Sequence, residues 1–142
     1  MQLFRFLPAF LLVIGATACG GAPDAGSLER VTGVTWEATQ ISGAPVTLSS
    51  PVTLAFADGR ASGRSGCNRY SGAVLLEAGR IRFSEIISTK MACVEETAMQ
   101  TEMAFLQALS GAETWSLAGE QFTISGSKGT VLFKPASGEP DR

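Results

Sequence analysis

The sequence predicts a small, mainly β domain: an antiparallel, barrel-like sheet of about seven or eight strands, with one α-helix packed on it or plugging it. Short segments of β-forming residues follow one another, separated by glycine-containing turns at the spacing typical of barrels and sandwiches. One segment with helical periodicity lies between two groups of such strands. The 142 residues, 45% of them apolar, are enough for one domain with its own core.

The first group of predicted strands lies in the N-terminal half of the domain. Val52, Leu54 and Phe56 alternate with smaller residues, which is the period of a strand with one buried face. Asp58 and Gly59 are typical of a two-residue hairpin turn. The predicted strands of this group are Thr35–Ile41, Val52–Phe56, Arg60–Gly63, Ala73–Glu77 and Arg80–Ser84.

The second group contains three predicted strands near the C-terminus. They are Glu113–Leu117, Gln121–Ile124 and Thr130–Phe133, and short turns that contain glycine separate them. Because such short connections join antiparallel neighbours, these three strands are expected to lie side by side.

A predicted amphipathic helix over Val94–Ser110 lies between the two groups of strands. We expect one stripe at helical spacing to pack against the sheet. It consists of Met99, Met103, Leu106 and Ser110, with Ala98, Phe105 and Leu109 beside it. Gly111 directly after the segment is a typical helix end. The two methionines are interpreted as core packing rather than as thioether ligands of a metal.

The N-terminus has the features of a secretory signal peptide over residues 1–18: one basic residue, a short apolar stretch and small residues at its end. The small residues before Cys19 resemble a bacterial lipobox, although Ala16 stands where leucine is usual. We expect Cys19 to be lipidated, which would hold the protein in the bacterial cell envelope, at the outer membrane and facing the periplasm. Ordinary cleavage at the same position, which leaves Cys19 as a free thiol, is the alternative.

Composition sets the remaining boundaries of the predicted domain. Residues 19–30 are expected to form the lipidated cysteine and a flexible tether rich in glycine and other small residues. Residues 31–135 are expected to form the folded domain, and residues 136–142 a disordered tail.

Two further cysteines, Cys67 and Cys93, lie 26 positions apart. An exported protein allows them to form a disulfide, which would join the first group of strands to the start of the helix. Two buried thiols, a redox pair or a metal site are the alternatives. Two cysteines without histidine are too few ligands for a structural zinc site.

Charge and composition exclude several functions. The chain has no histidine, which excludes Ser-His-Asp and Cys-His catalysis, and we predict no cofactor or metal site. A net charge of −2 does not favour nucleic-acid binding. Six basic residues lie between Arg60 and Lys90, against the two acidic residues Glu77 and Glu85. From Glu95 to Glu120 there are five acidic residues and no basic one. We expect this separation of basic and acidic residues to attract an anionic envelope component or an envelope protein. The alternative is that both segments are simply surfaces exposed to solvent.

Several motifs along the chain carry a resemblance to a known family. The segments are Gly66–Gly72, Ile81–Phe83, Ser88–Cys93, Glu102–Leu109 and Thr130–Phe133, with Trp36 before them and Trp115 before the last. In this order they resemble the META domain of HslJ-like proteins, over about Val31–Pro135. The resemblance implies a compact β-barrel-like fold with one helix. Family members are often envelope lipoproteins, some connected with heat stress or antibiotic resistance, and no biochemical activity is established for the family.

These features predict a non-catalytic envelope lipoprotein that acts as a binding or stress-protective module and is a monomer. Its candidate partner-binding loop consists of Asn68, Arg69 and Tyr70, between two glycines that allow sharp turns. A structured connection, in which Asn68 caps a turn and Tyr70 packs inside, is the alternative.

A lipocalin-like carrier of a small apolar ligand is the alternative function, because small β-barrels can hold one such ligand. An enzyme is not predicted. Glu95, Glu96 and Glu102 are acid–base candidates by residue type alone, and their spacing on a helix surface is typical of solvated charges.

Overall fold

The alternating apolar residues of the predicted strands form the inside of a closed barrel. The computed structural model describes residues 25–138. Its elements in chain order are α1 (Ala25–Thr32), β1 (Trp36–Ile41), β2 (Ala44–Pro45), β3 (Thr53–Ala57), β4 (Arg60–Arg64), β5 (Arg69–Glu77), β6 (Arg80–Ser88), α2 (Glu96–Ser110), β7 (Ala112–Ala118), β8 (Gln121–Gly126) and β9 (Gly129–Pro135).

Eight of these strands close into an antiparallel barrel. β1 pairs with β3, each later strand pairs with the next, and β9 returns to pair with β1. The short β2 adds to β1 as an extra strand. Helix α2 contacts the barrel, chiefly at β6 and β9. The predicted fold class is therefore confirmed.

The hairpin predicted at Asp58 and Gly59 joins β3 and β4. Both turn residues have positive φ, 51° and 71°, as a type I′ turn requires. Leu54 and Phe56 of β3 are buried on the inside of the barrel, as their alternation predicts.

Two strands are longer than the alternation of side chains predicts. β5 begins at Arg69, and β6 continues to Ser88. The pairing between them shifts between Ser71 and Ala73, and Glu85 has a φ of 51°. Such irregularities break the alternation of inward and outward side chains. A prediction based on strict alternation therefore makes these strands too short.

Aromatic rings fill the interior of the barrel. The ring centre of the fully buried Phe122 lies 5.0 Å from that of Trp36 and 6.0 Å from that of Trp115. The ring centre of Phe133 lies 5.6 Å from Phe122 and 6.3 Å from Phe105 of α2. Burying one such side chain contributes about 1.5–3 kcal/mol, so this continuous row of rings is a main source of stability.

Helix α1 packs on the barrel, and hydrogen bonds join it to β1 and to the turn between β7 and β8. Val31 is fully buried, and its carbonyl oxygen accepts a hydrogen bond of 2.9 Å from Nε1 of Trp36. The guanidinium of Arg30 donates to the carbonyl oxygen of Gly119, in the turn between β7 and β8, at 2.7 Å.

The flexible tether predicted over residues 19–30 is therefore wrong for residues 25–30, which form most of α1. The physical reason is tertiary. Leu28 and Val31, three residues apart, lie on one side of the helix and pack with the core, whereas an isolated helix of eight residues is not stable in water.

Other predicted features lie outside the described residues. These are the signal peptide over residues 1–18, Cys19 with the first part of the tether, and residues 139–142 of the tail. Residues 136–138 are in neither a helix nor a strand, and the amide of Ala136 donates to the carbonyl oxygen of Thr35 at 2.8 Å.

Helix α2 packs on the barrel through the residues beside the predicted stripe and not through the methionines of the stripe itself. Ala98, Phe105 and Leu109 are buried, whereas Met99 and Met103 are 51% and 68% exposed. The interpretation of the two methionines as core packing is therefore wrong. The helix is rotated because Phe105 enters the aromatic interior, which leaves the methionine stripe on the outside.

Candidate functional site

The connection between β4 and β5 is fastened to the segment that precedes α2. A disulfide joins Cys67 to Cys93, with their Cα atoms 5.6 Å apart. Gly66 has a φ of 132°, and a Cβ there would lie 3.0 Å from the carbonyl oxygen of Ala98 in α2. Glycine therefore lets this connection approach the helix closely.

Asn68 follows Cys67. Its side chain connects three segments: the β4–β5 connection, the segment that precedes α2, and α2 itself. Its Nδ2 donates to Oε1 of Glu102 at 2.9 Å. Its Oδ1 accepts from Oγ1 of Thr89 and from the amide of Met91, both at 2.8 Å. The residue is only 4% exposed, so its side chain has a structural role and does not face a partner.

Glu102 is the second centre of this polar network. Its Oε2 accepts from the amide of Asn68 at 2.9 Å and from Oγ of Ser65 at 2.8 Å. Partial burial raises the pKa of Glu102, but hydrogen bonds from Asn68, Ser65 and the Cys67 backbone outweigh burial and hold the pKa below its ordinary value. The carboxylate is thus ionised at neutral pH and engaged by donors, which is not the state of a catalytic acid.

Tyr70 also points inward. Its ring is 4% exposed and lies edge-on to Phe105 at 5.4 Å, and its hydroxyl donates to the carbonyl oxygen of Thr53 at 2.9 Å. Burial raises the pKa of this phenol. Of the three residues in the predicted partner-binding loop, Asn68, Arg69 and Tyr70, the structure therefore leaves only Arg69 on the outer surface.

Five arginines lie on the outer side of three adjacent strands, and we call them the arginine face: Arg60, Arg64, Arg69, Arg80 and Arg82. Each occupies an outward position beside residues that point into the barrel. The register fixes their arrangement, because Arg64 is the direct partner of Arg69 and Arg60 is the partner of Ala73. Five of the six basic residues of the segment seen in the sequence thus lie on one surface.

A groove of about 460 Å³ crosses this face, and we call it the Arg64 groove. Arg64 and Arg69 lie beside it, and Ser62, Gly63 and Ser71 contribute small side chains or none. Among the described residues that line it, none is acidic.

A second groove of similar volume lies where β6 and β7 diverge after a single paired position. Arg80 and Arg82 line it together with Glu77 and Glu113. Its positive charges therefore have carboxylates among the residues that line the same groove.

Within residues 25–138, no group of three or more cysteine, aspartate and glutamate side chains is placed to hold a metal ion. In the same residues, no helix has the length and apolar character that crossing a membrane requires. Glu95 and Glu96, the other acid–base candidates, are exposed at the start of α2.

Solved structures share this barrel. One protein solved by NMR is 26% identical, with a TM-score of 0.64 over 75% of this chain and 92% of that chain. A second NMR structure, from Burkholderia xenovorans, is 24% identical, with a TM-score of 0.62 over 93% and 100% of the two chains. A crystal structure of a DUF4847-family protein from Bacteroides vulgatus is 14% identical, with a TM-score of 0.56 over 79% and 99%.

The last two likenesses show the fold alone, and none of the three descriptions states a function. No functionally curated protein matches the chain. The sequence model of the META domain matches residues 29–138, which include the whole barrel, the disulfide and the network around Asn68 and Glu102. The chain belongs to the META domain family.

Proposed function

We propose that this META-domain chain is a lipid-anchored, non-catalytic binding module of the bacterial envelope, at the outer membrane and facing the periplasm. It acts as a monomer, and an anionic envelope component docks on its arginine face. A protective role in stress would follow from this binding. The observation that carries the proposal is the concentration of five arginines on one side of a chain whose net charge is −2.

The disulfide and the N-terminal sequence support an envelope location. Disulfides persist in oxidising compartments such as the periplasm. Cys19 lies six positions before Ala25, where α1 begins, so a lipid on Cys19 would keep the start of α1 within about 20 Å of the membrane. The arginine face is carried by strands of the same small barrel and would work close to that membrane.

We expect Cys19→Ala to release the protein from the membrane. The variant loses the only thiol that the lipobox-like sequence offers for acylation, and several acyl chains are what makes such anchoring stable. Fractionation of expressing cells should find it with soluble periplasmic proteins, while the wild type and a Thr17→Ser control stay in the membrane fraction. An intact mass of the mature wild type without acyl chains would refute the anchor.

Binding on the outer surface is favoured over the lipocalin-like alternative by the interior of the barrel. A carrier needs an internal cavity, whereas Phe122, Phe133 and Phe105 form a continuous row of rings along the inside. Phe105 enters this row from α2, and Val31 of α1 is fully buried with the same core. A small apolar ligand would have to displace well-packed side chains.

The arginine face is expected to bind a polyanion in a salt-dependent way, since each neutralised phosphate releases counterions. We would titrate the lipidated protein, purified in neutral detergent, with long-chain polyphosphate. The triple variant Arg60→Gln, Arg80→Gln and Arg82→Gln should bind about tenfold or more weakly, with a shallower salt dependence.

The control for this experiment removes two positive charges elsewhere on the barrel. Lys128→Gln with Lys134→Gln changes exposed residues in the turn before β9 and in β9 itself. This variant should bind polyphosphate much as the wild type does. Equal weakening by the two sets of substitutions would show that overall charge, not the arginine face, determines binding.

A further inference from the structure

Two exposed apolar side chains lie among the arginines of the arginine face. Leu75 and Ile87 are 57% and 66% exposed, and no other large apolar side chain of a strand is as exposed in the described part of the chain. Leu75 is the direct partner of Arg82 in the β5–β6 register. Ile87 is the direct partner of Ser71, whose hydroxyl accepts a hydrogen bond of 3.3 Å from Arg60. Directly opposed residues point to the same side of a sheet, so an arginine lies near each of these apolar side chains.

This combination of side chains distinguishes between classes of partner. A dissolved polyanion contacts the arginines but leaves Leu75 and Ile87 in water, where exposed apolar surface is unfavourable. A bilayer surface contacts both kinds of side chain. The apolar ones enter the boundary between headgroups and acyl chains, and the cationic ones stay at the phosphates. The face therefore fits an anionic lipid surface better than a dissolved polymer.

A groove connects this face to helix α1. It has a volume of about 470 Å³, and Leu28 and Thr32 of α1 line it together with Arg60 and Leu75. A lipid on Cys19 would hold the start of α1 within about 20 Å of the membrane. The anchor would thus lead into the helix that borders the arginine face.

The exposed methionines of helix α2 lie in a different setting. Met99 and Met103 share the helix with the exposed Glu95 and Glu96, and an anionic lipid surface repels carboxylates. Helix α2 ends just before β7 begins, whereas Arg30 of α1 contacts the turn that follows β7. The two helices therefore lie at opposite ends of this strand. An anchor beside α1 favours the arginine face, and not the methionines, as the surface that meets the membrane.

We propose that the arginine face lies on the anionic phospholipid surface of the membrane that holds the anchor. Leu75 and Ile87 enter the headgroup boundary, and Arg60 and Arg82 lie at the phosphates. This assignment rests on the proposed function, because it names the anionic component that the face binds. The anchor makes the contact intramolecular, so a few side chains suffice to keep the face on the bilayer.

The test measures how close the arginine face comes to the bilayer. Ser84→Cys places a thiol at the centre of the face, because Ser84 is exposed and pairs with Ala73, the partner of Arg60. This thiol is the only free one in the lipidated protein, since the three native cysteines carry the lipid and the disulfide. The labelled protein is reconstituted into vesicles of phosphatidylcholine and phosphatidylglycerol in equal parts.

A fluorophore on this thiol should be quenched by lipids that carry a nitroxide near the headgroup. The same fluorophore on Gln107→Cys, at an exposed position of α2, should be quenched less than about half as strongly.

The role of charge is tested in the labelled Ser84→Cys protein. Arg60→Gln with Arg82→Gln should reduce the quenching about twofold or more, and about 0.5 M NaCl or vesicles without phosphatidylglycerol should do the same. Lys128→Gln with Lys134→Gln removes the same number of positive charges elsewhere and should leave the quenching unchanged.

The role of the apolar side chains is tested in the same labelled protein. Leu75→Gln with Ile87→Gln should reduce the quenching about twofold or more, because the apolar contact with the bilayer is lost. The matched control is Met99→Gln with Met103→Gln, which changes two exposed apolar residues of α2 and should have no effect. An intact disulfide in each variant verifies folding.

The outcomes distinguish this inference from the proposed function. Equal quenching at positions 84 and 107, or equal effects of the leucine–isoleucine and methionine pairs, overturns the membrane contact. Quenching that does not depend on phosphatidylglycerol overturns an anionic lipid as the partner. If the membrane contact fails but polyphosphate still binds the arginine face, that face binds a dissolved polyanion and the proposed function stands. If polyphosphate does not bind either, both fail.

Discussion

Replacing Cys67 and Cys93 together by serine is expected to lower the free energy of unfolding by about 3.5 kcal/mol. The disulfide closes a loop with a sequence separation of 26 residues, and opening it gives the unfolded chain more conformations. A loss of this size is a large part of the stability of a small domain. Chemical denaturation of the oxidised wild type and the double variant measures it.

The matched control introduces a serine beside the bond without breaking it. Ala92→Ser changes an exposed residue next to Cys93, and it should shift the free energy of unfolding by less than about 0.5 kcal/mol. The wild type with its disulfide reduced should resemble the double variant. A loss below about 1 kcal/mol in the double variant would contradict this argument. It would show that other contacts restrict the unfolded chain even without the disulfide.

Local patterns were sufficient to predict the barrel, because its hairpins and inward residues depend on neighbours in the sequence. Asp58 and Gly59 specify their turn by backbone preference, and Leu54 and Phe56 specify the buried face by their period of two. Local sequence patterns did not predict helix α1. Its formation depends on the packing of Val31 and on a hydrogen bond from Trp36, not on its own propensity.

The candidate site could not be predicted from composition alone, because its arrangement depends on how the strands pair. The run of basic residues is visible in the sequence, but only the register places Arg64 opposite Arg69 and separates both from Arg80. The role of Asn68 was hidden for a similar reason. Its acceptor Glu102 lies 34 positions later, and no local pattern joins a loop amide to one particular helix carboxylate.

Glu102→Gln is expected to lower the free energy of unfolding at pH 7 by about 2 kcal/mol, the low end for charge-assisted hydrogen bonds at a partly exposed group. The carboxylate accepts at both oxygens, from Nδ2 and the amide of Asn68 and from Ser65. In either orientation a glutamine amide would place its own N–H groups against a donor of Asn68. Denaturation of both proteins at pH 7 measures the difference.

The pH dependence of that difference tests its cause. Because the hydrogen bonds favour the ionised carboxylate, the pKa of Glu102 is lower in the folded protein than its ordinary value of 4.5. The stabilisation is therefore fully present above that value and is lost as the pH falls through the folded-state pKa. The difference in free energy of unfolding between the wild type and Glu102→Gln should therefore become smaller in acid. The other carboxyl groups titrate in both proteins, so they do not contribute to this difference.

The control for this series is Glu96→Gln, which neutralises an exposed glutamate in the first turn of the same helix. It should change the free energy of unfolding by less than about 1 kcal/mol, because a charge at a helix start is worth only a fraction of that. A gap for Glu102→Gln that stays constant or widens below pH 4.5 would contradict the argument. The network around Asn68 would then stabilise the fold through packing and not through the ionised carboxylate.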